Sequence, residues 1–454
     1  MLSPRARAVL YHPALWVGLV YACGVALRVL YTLYIQHPDS LIYSDMGIYV
    51  GLARRMVAGV PLLRSDVTHP LGYASLLAFL FARGGSLQLA INLQLVVTCL
   101  VPLAIGLLGA AAYGRRTAYL AVVFASLYFP FIEYGALFLS EIHFIFWLTL
   151  AFAAFLGARR VRRLGVAIVL ALGGGFALSV ATVFKSVALP AAFVFFAVEG
   201  VALLVARPAD GPSQPWSARL RSGLSRLRPW LLRGALVAIA AAPILGAFAR
   251  VCTRANDNQF CVTGNKMGAD FLLGHYGRVA DIEWIAEGHD QFRFGSPGAL
   301  LRHYDAHVRV PISYTDNQRN TAEAWRWIGK HPGEAIVLSI DHIYDTFFGS
   351  SMWPTFNGGM WPYANLSQFI FILLLFVPTV LACAGIVRRG WRGVVTSQTA
   401  LVLAPIVALT IIVAIATGEV RYRIPFDVFF IVIACAYASR DLARVDGPGG
   451  DAPR

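Results

Sequence analysis

The sequence predicts an all-α polytopic membrane protein, and three observations carry that expectation. The 454 residues are 58% hydrophobic and only 14% charged, with a mean hydropathy of +0.64. That is too apolar for a soluble enzyme. Runs of roughly 18 or more nearly uncharged residues recur, each long enough for a hydrocarbon core of ~30 Å. The net charge of +14 comes almost wholly from Arg, with Lys only at 185, 266 and 330. These bases gather between alternate apolar runs, which marks membrane topology rather than a nucleic-acid surface.

The N-terminus carries Arg5 and Arg7 before an apolar span over 14–34, read as a retained anchor and not a cleaved signal. Within 36–86, the piece 70–81 is too short to cross and reads as a re-entrant or interfacial helix. Spans follow at 87–112, 117–131, 135–156, 164–184 and 187–205, the last two forming a hairpin about Lys185. Residues 207–233 read as a Pro- and Arg-rich loop without hydrophobic periodicity. A span at 231–248 opens into the one long polar segment, 250–365, and spans at 366–387, 394–417 and 424–439 complete about ten.

In the polar segment an amphipathic pair breaks at His331-Pro332. Ile336, Ile340, Ile343 and Phe347 make an apolar stripe suited to lying on a bilayer, with Asp341 and Asp345 off it. The chain thus divides into a membrane module 1–249 with its first outer loop 36–86, the loop 250–365, membrane helices 366–440 and a disordered tail 441–454.

Threading these spans puts Arg115-Arg116, the 159–163 cluster, the 207–233 loop, Arg388-Arg389-Arg392 and Arg440/Arg444 on one side. Few acids accompany them, so this side is cytoplasmic and both termini lie there. The bases also suit anionic lipid headgroups. Preference for Arg over Lys, with abundant Ala and Gly, points to a GC-rich bacterial gene and so to a plasma (inner) membrane.

Topology has a functional consequence. Asp45, His69, Glu141, Lys185, Glu419, Arg421 and Arg423 all fall at the outer ends of spans. In 43–59 a helix would place Asp45, Tyr49, Leu52 and Met56 on one face. Ser44 would cap it, leaving Asp45 in the first turn, where the macrodipole favours the ionised carboxylate. Such an acid is a surface carboxylate or a general base. Glu141, just inside a span, is costly unless it lines a cavity or pairs, with Arg28 as the structural partner. Lys185 either serves a site or snorkels to the interface.

The ordered pieces Ser44-Asp-Met-Gly-Ile-Tyr49, His69-Pro-Leu-Gly-Tyr73, Leu139-Ser-Glu141, Gly268-Ala-Asp-Phe-Leu-Leu-Gly274, Trp327-Ile-Gly-Lys-His-Pro332 and Glu419-Val-Arg-Tyr-Arg-Ile-Pro425 resemble the GT-C superfamily of membrane glycosyltransferases. Within that superfamily the pattern is similar to protein O-mannosyltransferases and the lipid A aminoarabinose transferase. The resemblance runs through most of the chain as pattern and order. It implies an inverting transferase of a hexosyl or pentosyl group from a polyprenyl-phosphate donor to an acceptor hydroxyl or phosphate at the outer membrane face. A membrane lipid, a glycan or a secreted protein would be the acceptor. It implies that Asp45, with Glu141, is catalytic, and that Lys185, Arg421, Arg423 and His69 hold the donor phosphate. Arg suits that task because its planar fork binds two oxygens together. Tyr49, Tyr73, Glu419, Tyr422 and His275 are then candidate sugar or acceptor contacts. Two departures stand out: Asp45 lacks the paired acid of many members, with only Asp39 and Asp66 nearby, and His69 stands where lipid A relatives often carry Lys.

Cys252 and Cys261 both fall in the outer loop, so an oxidising compartment predicts a disulfide between them. No Cys-x-x-Cys or His-x-x-x-His spacing suggests zinc. A divalent cation between Asp45 and Glu141 fits the chemistry, although nothing local demands one. The alternative reading is a transporter or flippase of lipid-linked sugars, which tends to place ionisable groups and broken helices near the midplane. Here they gather at one face, with Arg28 and Gly173-Gly-Gly175 as partial exceptions.

Overall fold

The structure, a computed structural model, describes residues 12–38, 42–205, 216–286, 292–295, 304–349, 361–388 and 390–446. Among these, eight helices are long and apolar enough to cross a membrane: Pro13–Gln36, Leu87–Ala112, Glu141–Arg160, Leu164–Phe184, Ala188–Val205, Leu227–Ala255, Asn365–Val387 and Gln398–Ile415. In lipid the backbone must satisfy its own polar groups, and a helix does so within one segment. The chain is an integral membrane protein.

The expected span at 117–131 is a broken one. Arg115–Leu127 and Phe129–Gly135 meet at a bend of 56°. Tyr128 is extended there, and Pro130, which has no N–H to give, restarts the helix. The expected last span, 424–439, differs too. The turn Ile424–Phe426 leads into Asp427–Ala438, only 12 residues, or about 18 Å. That is short of the bilayer core, and nearly every side chain in it is buried, so its surroundings are protein.

The expected loop 207–233 is mostly helix: Trp216–Ala255 runs unbroken through Pro229 and Pro243, while 207–215 lie outside the described residues. A helix keeps its backbone bonds within itself whether or not it lies in the bilayer. Of the tail expected to be disordered over 441–454, Asp441–Val445 is instead a short helix with Asp441 and Leu442 buried, while 447–454, like Arg5, Arg7 and Asp39, lie outside the described residues. Gly72–Phe81 is a short apolar helix, as its length predicts.

In the polar segment, helices Asn317–Lys330 and Pro332–Phe348 break at His331. Ile336, Ile340 and Tyr344 are exposed, whereas Phe347 and Asp345 are buried. The outward apolar face therefore runs through Ile336, Ile340 and Tyr344, and Phe347 belongs to the protein core. A three-stranded sheet joins these helices: Val279–Trp284 pairs antiparallel with Phe292–Gly295 and parallel with Ala306–Val310. The all-α expectation misses it. Its signal was the alternation of Ile282 and Trp284, which are buried, with Asp281 and Glu283. Cys252 and Cys261 are disulfide-bonded, Cα atoms 5.6 Å apart.

Lipid tails are as apolar as the side chains, so close packing and polar ties hold spans together. Arg28 does not meet Glu141. Its guanidinium caps carbonyls of Gly24 (3.0 Å), Ser126 (2.5 Å) and Ala125 (2.9 Å), joining the first span to the broken one. Arg423 is a second tie. Its Nε donates to Asp427 Oδ1 (3.0 Å), its Nη1 to Gln368 Oε1 (2.8 Å) and the Phe347 carbonyl (3.2 Å), and its plane lies 3.4 Å from the Phe371 ring centroid. Tyr128 closes the network on Asp427 Oδ2 at 2.6 Å. Removing Asp427 strands a buried guanidinium, so Asp427→Ala is expected to cost about 3–5 kcal/mol. Thermal unfolding in detergent checks this, against Cys383→Ala as the surface-like control.

Candidate active site

Two close approaches bring the site together. Gly72 lies on the backbone of Val183 and Phe184, where a Cβ would run into the Val183 carbonyl. The end of Leu164–Phe184, and with it Lys185, can therefore sit beside the His69 loop. Gly418 meets the His342 carbonyl just as tightly, so the strand-like connection after Gln398–Ile415 passes under Pro332–Phe348. It then turns into the short helix Val420–Arg423, which delivers Arg421.

Arg421 is the centre. Its Nε donates to Glu141 Oε1 at 2.6 Å and its Nη2 to Asp45 Oδ2 at 2.8 Å. Lys185 Nζ donates to the same Glu141 oxygen at 3.1 Å, and Ser140 Oγ to the other at 3.4 Å. His69 Nε2 stands 3.7 Å from Asp45 Oδ1. Asp45 begins the helix Asp45–Val57, with the helix dipole behind it. Ser44 does not cap this helix: it takes φ 49°, a left-handed conformation strained for serine, and its side chain makes no cap bond. Arg421 secures the carboxylate instead.

The electrostatics follow from these partners. Burial works to raise the Asp45 carboxyl, but Arg421, His69 and Lys266 outweigh it and hold it well below the usual carboxylate range. Burial lowers His69 to about 4 despite Asp45. At neutral pH it therefore faces Asp45 as a neutral imidazole, which unfits it for holding a phosphate by charge. Burial raises Glu419 to about 6, against the pull of Arg421.

The remaining candidates divide. Glu419 and the half-buried Tyr422 lie beside Arg421. Arg423 does not join them, since its donors are spent on Asp427, Gln368 and Phe347. Tyr49 and Tyr73 are buried and pack edge to face on each other at 5.2 Å, Tyr73 donating to Gln94 at 2.8 Å, so neither offers a sugar an open ring. His275 is buried against Ser339, His342 and Phe271 and is likewise closed. Missed from sequence is Lys266, which pairs with Asp270 at 3.3 Å and bears on Asp45 and His69. Nothing in a lone Lys of a polar loop marks it.

No family model and no curated protein sequence matches the chain. Solved structures do. A crystal structure of the Archaeoglobus fulgidus oligosaccharyltransferase tethered to an acceptor peptide containing the NVT sequon superposes with a TM-score of 0.53 at 13% identity. It covers 94% of this chain and 49% of that one. The fold is the GT-C fold. The A. fulgidus oligosaccharyltransferase AglB in complex with an inhibitory peptide and a dolichol-phosphate gives 0.52 at 12% identity, over 94% and 50% of the two chains. A third, in complex with Zn and sulfate, gives 0.50 at 12%, over 94% and 48%. The chain thus spans about half the length of the GT-C proteins it matches.

A divalent ion finds no ready-made ligand set here. No three of His, Cys, Asp and Glu gather to hold one among the described residues. One oxygen of Asp45 and one of Glu141 are already held by fixed cations. The carboxylates share Arg421 as one unit, so a double-mutant cycle of Arg421→Met against Glu141→Gln should return a coupling within ~0.5–3 kcal/mol. Unfolding free energies measure it, and a value near zero would mean the pair is not formed.

Proposed function

We propose that this GT-C protein is an inverting glycosyltransferase that moves a hexosyl or pentosyl group from a polyprenyl-phosphate donor to an acceptor at the extracytoplasmic face of a bacterial plasma membrane. The observation that carries the reading is Arg421 bridging Asp45 and Glu141, with Lys185 on the far side of Glu141. A carboxylate and a set of buried cations meet at one end of the bundle, half open to solvent. The arginine-rich ends lie at the other and favour a cytoplasmic placement there. The oligosaccharyltransferase of like fold was solved with a dolichol-phosphate, a lipid phosphate of the class these cations suit.

The chemistry follows from the charges. The acceptor oxygen attacks the anomeric carbon as the bond from that carbon to the phosphate oxygen breaks, with inversion. The acceptor proton goes to Asp45, and the electron pair leaves with the lipid phosphate. Arg421 and Lys185 stabilise the charge that develops on that phosphate. In the free protein Arg421 keeps Asp45 a weak base. A phosphate binding Arg421 takes part of that guanidinium from Asp45 and so raises its basicity only once the donor is loaded.

Incubation of the purified protein with polyprenyl-phosphate sugars tests the reading. Asp45→Asn is expected to lower donor consumption at least a hundredfold, the lower bound of ordinary general-base contributions, about 10²–10⁴. Consumption that survives the substitution removes Asp45 as the base. A second outcome concerns pH. Glu419 is neutral below its pKa of about 6 and anionic above it. As pH rises through that value, the new charge beside Arg421 should weaken binding of the anionic donor. Donor KM is therefore expected to climb between pH 5 and 7 in the wild type and to stay flat in Glu419→Gln.

A further inference from the structure

The site does not end at Asp45. Salt bridges run in sequence from Lys185 to Glu141, Glu141 to Arg421 and Arg421 to Asp45. Close enough to act on Asp45 is another pair, Lys266 and Asp270, 3.3 Å apart, at side-chain exposures of 19% and 26%.

The fold builds this pair in place. Lys266 caps the start of Met267–Gly274, and Asp270 sits one turn on. The preceding loop, closed by the Cys252–Cys261 bond, is stitched to the His69 loop: Asn265 N donates to the Val67 carbonyl at 2.8 Å. Asn265 Nδ2 donates to Asn256 Oδ1 at 2.5 Å. The Gly268 N–H donates to Asn317 Oδ1, which docks the helix on Asn317–Lys330. Tyr314 presents its hydroxyl to Lys266 from a ring pinned edge to face on Trp284 at 5.0 Å. Tyr422 approaches from the Arg421 side. Asp270, both phenols and Asp45 together keep Lys266 charged despite burial.

We propose that Lys266 and Asp270, with Tyr314 and Tyr422, form an acceptor subsite that takes a neutral, hydroxyl-rich carbohydrate. The inference rests on the glycosyl-transfer reading and deepens it. Inversion needs acceptor and leaving group on opposite sides of the anomeric carbon. Lys185 and Arg421 meet on Glu141 and are assigned the leaving phosphate, whereas Lys266 pairs with Asp270, and this second pair is assigned the acceptor. The pair sets a donor and an acceptor 3.3 Å apart, at side-chain exposures of 19% and 26%. A polyol suits both, because Asp270 accepts hydroxyl protons while Lys266 and the phenols donate. Tyr422, partly exposed at the edge of the core, adds a further hydroxyl beside the pair.

The test uses the full chain in detergent with a polyprenyl-phosphate sugar donor. Methyl glycosides and a neutral Ser/Thr-containing peptide serve as rival acceptors, with glycoside binding followed separately by saturation-transfer NMR. Transfer to a methyl glycoside is expected, with acceptor KM rising about tenfold in Asp270→Asn and in Lys266→Met. That corresponds to the loss of a hydrogen bond worth ~1.4 kcal/mol, and Lys266→Arg should recover part of it. Donor KM should hold in the same variants. A rise in donor KM instead would make Lys266 part of the phosphate site. Transfer to the peptide alone would replace the carbohydrate with a protein acceptor. A fall in kcat with both KM values unmoved would leave the pair a purely structural role. Each of these overturns the proposal. Glycoside binding that Asp270→Asn abolishes, in a protein that consumes no donor, would sink the transferase reading and leave the carbohydrate subsite standing.

Discussion

The Arg421 guanidinium is the contact on which the rest of the structure depends. It joins residues 376 and 280 positions away in sequence. One of them, Glu141, is wholly buried. A carboxylate taken out of water costs several kcal/mol unless a cation and further hydrogen bonds repay it. Glu141 meets that demand with Arg421, Lys185 and Ser140. The loop carrying Asp45 and His69, two spans and the connection after Gln398–Ile415 must therefore all converge on one point. The Gly72 and Gly418 approaches are the consequence: side chains there would hold the partners apart by more than a hydrogen bond can stretch.

Much of this was legible because topology is legible. Counting Arg between spans puts Asp45, Glu141, Lys185 and Arg421 at the same ends of their helices, and convergence follows from geometry without any local motif. Arg423 defeated the same logic. It lies two residues from Arg421, about 200° round a helix, so when one guanidinium faces the site the other must face the bundle. There it finds Asp427, a helical turn further on. A topology argument places residues at an end of the bundle but cannot say which way round they point.

The long polar segment was less legible for a different reason. Spans announce themselves by length and hydropathy, whereas the sheet about Val279–Trp284 alternates over only a few residues and is interrupted by a bulge between Val279 and Asp281. Lys266 carries no signal at all. Its role arises from a disulfide-bounded loop, one backbone hydrogen bond to Val67 and a helix docked on Asn317, none of which has a sequence period. Tyr49 and Tyr73 show the converse error. Aromatics near a site read as ligand platforms, yet the first requirement on them is to fill space, and here they fill it against each other.

Solvent access separates charge that builds the protein from charge that works in it. Arg28 caps carbonyls, Arg423 pairs with Asp427, and Glu199 is held by Arg159 at 2.8 Å and by Arg233 at 2.5 Å. In the first two ties every partner is sealed, and the last stands at the arginine-rich end of its spans. The chain from Lys185 to Asp270 is graded instead. Glu141 at its middle is sealed at 0% exposure, Asp45 opens to 18%, and Asp270 reaches 26%. A sealed acid anchors the cations, and the half-open members keep a face to which a substrate can come. Under the proposed transfer such a gradient would serve two ligands, a charged one drawn inward to cations anchored by Glu141 and a hydroxyl-rich one held at the more open Asp270.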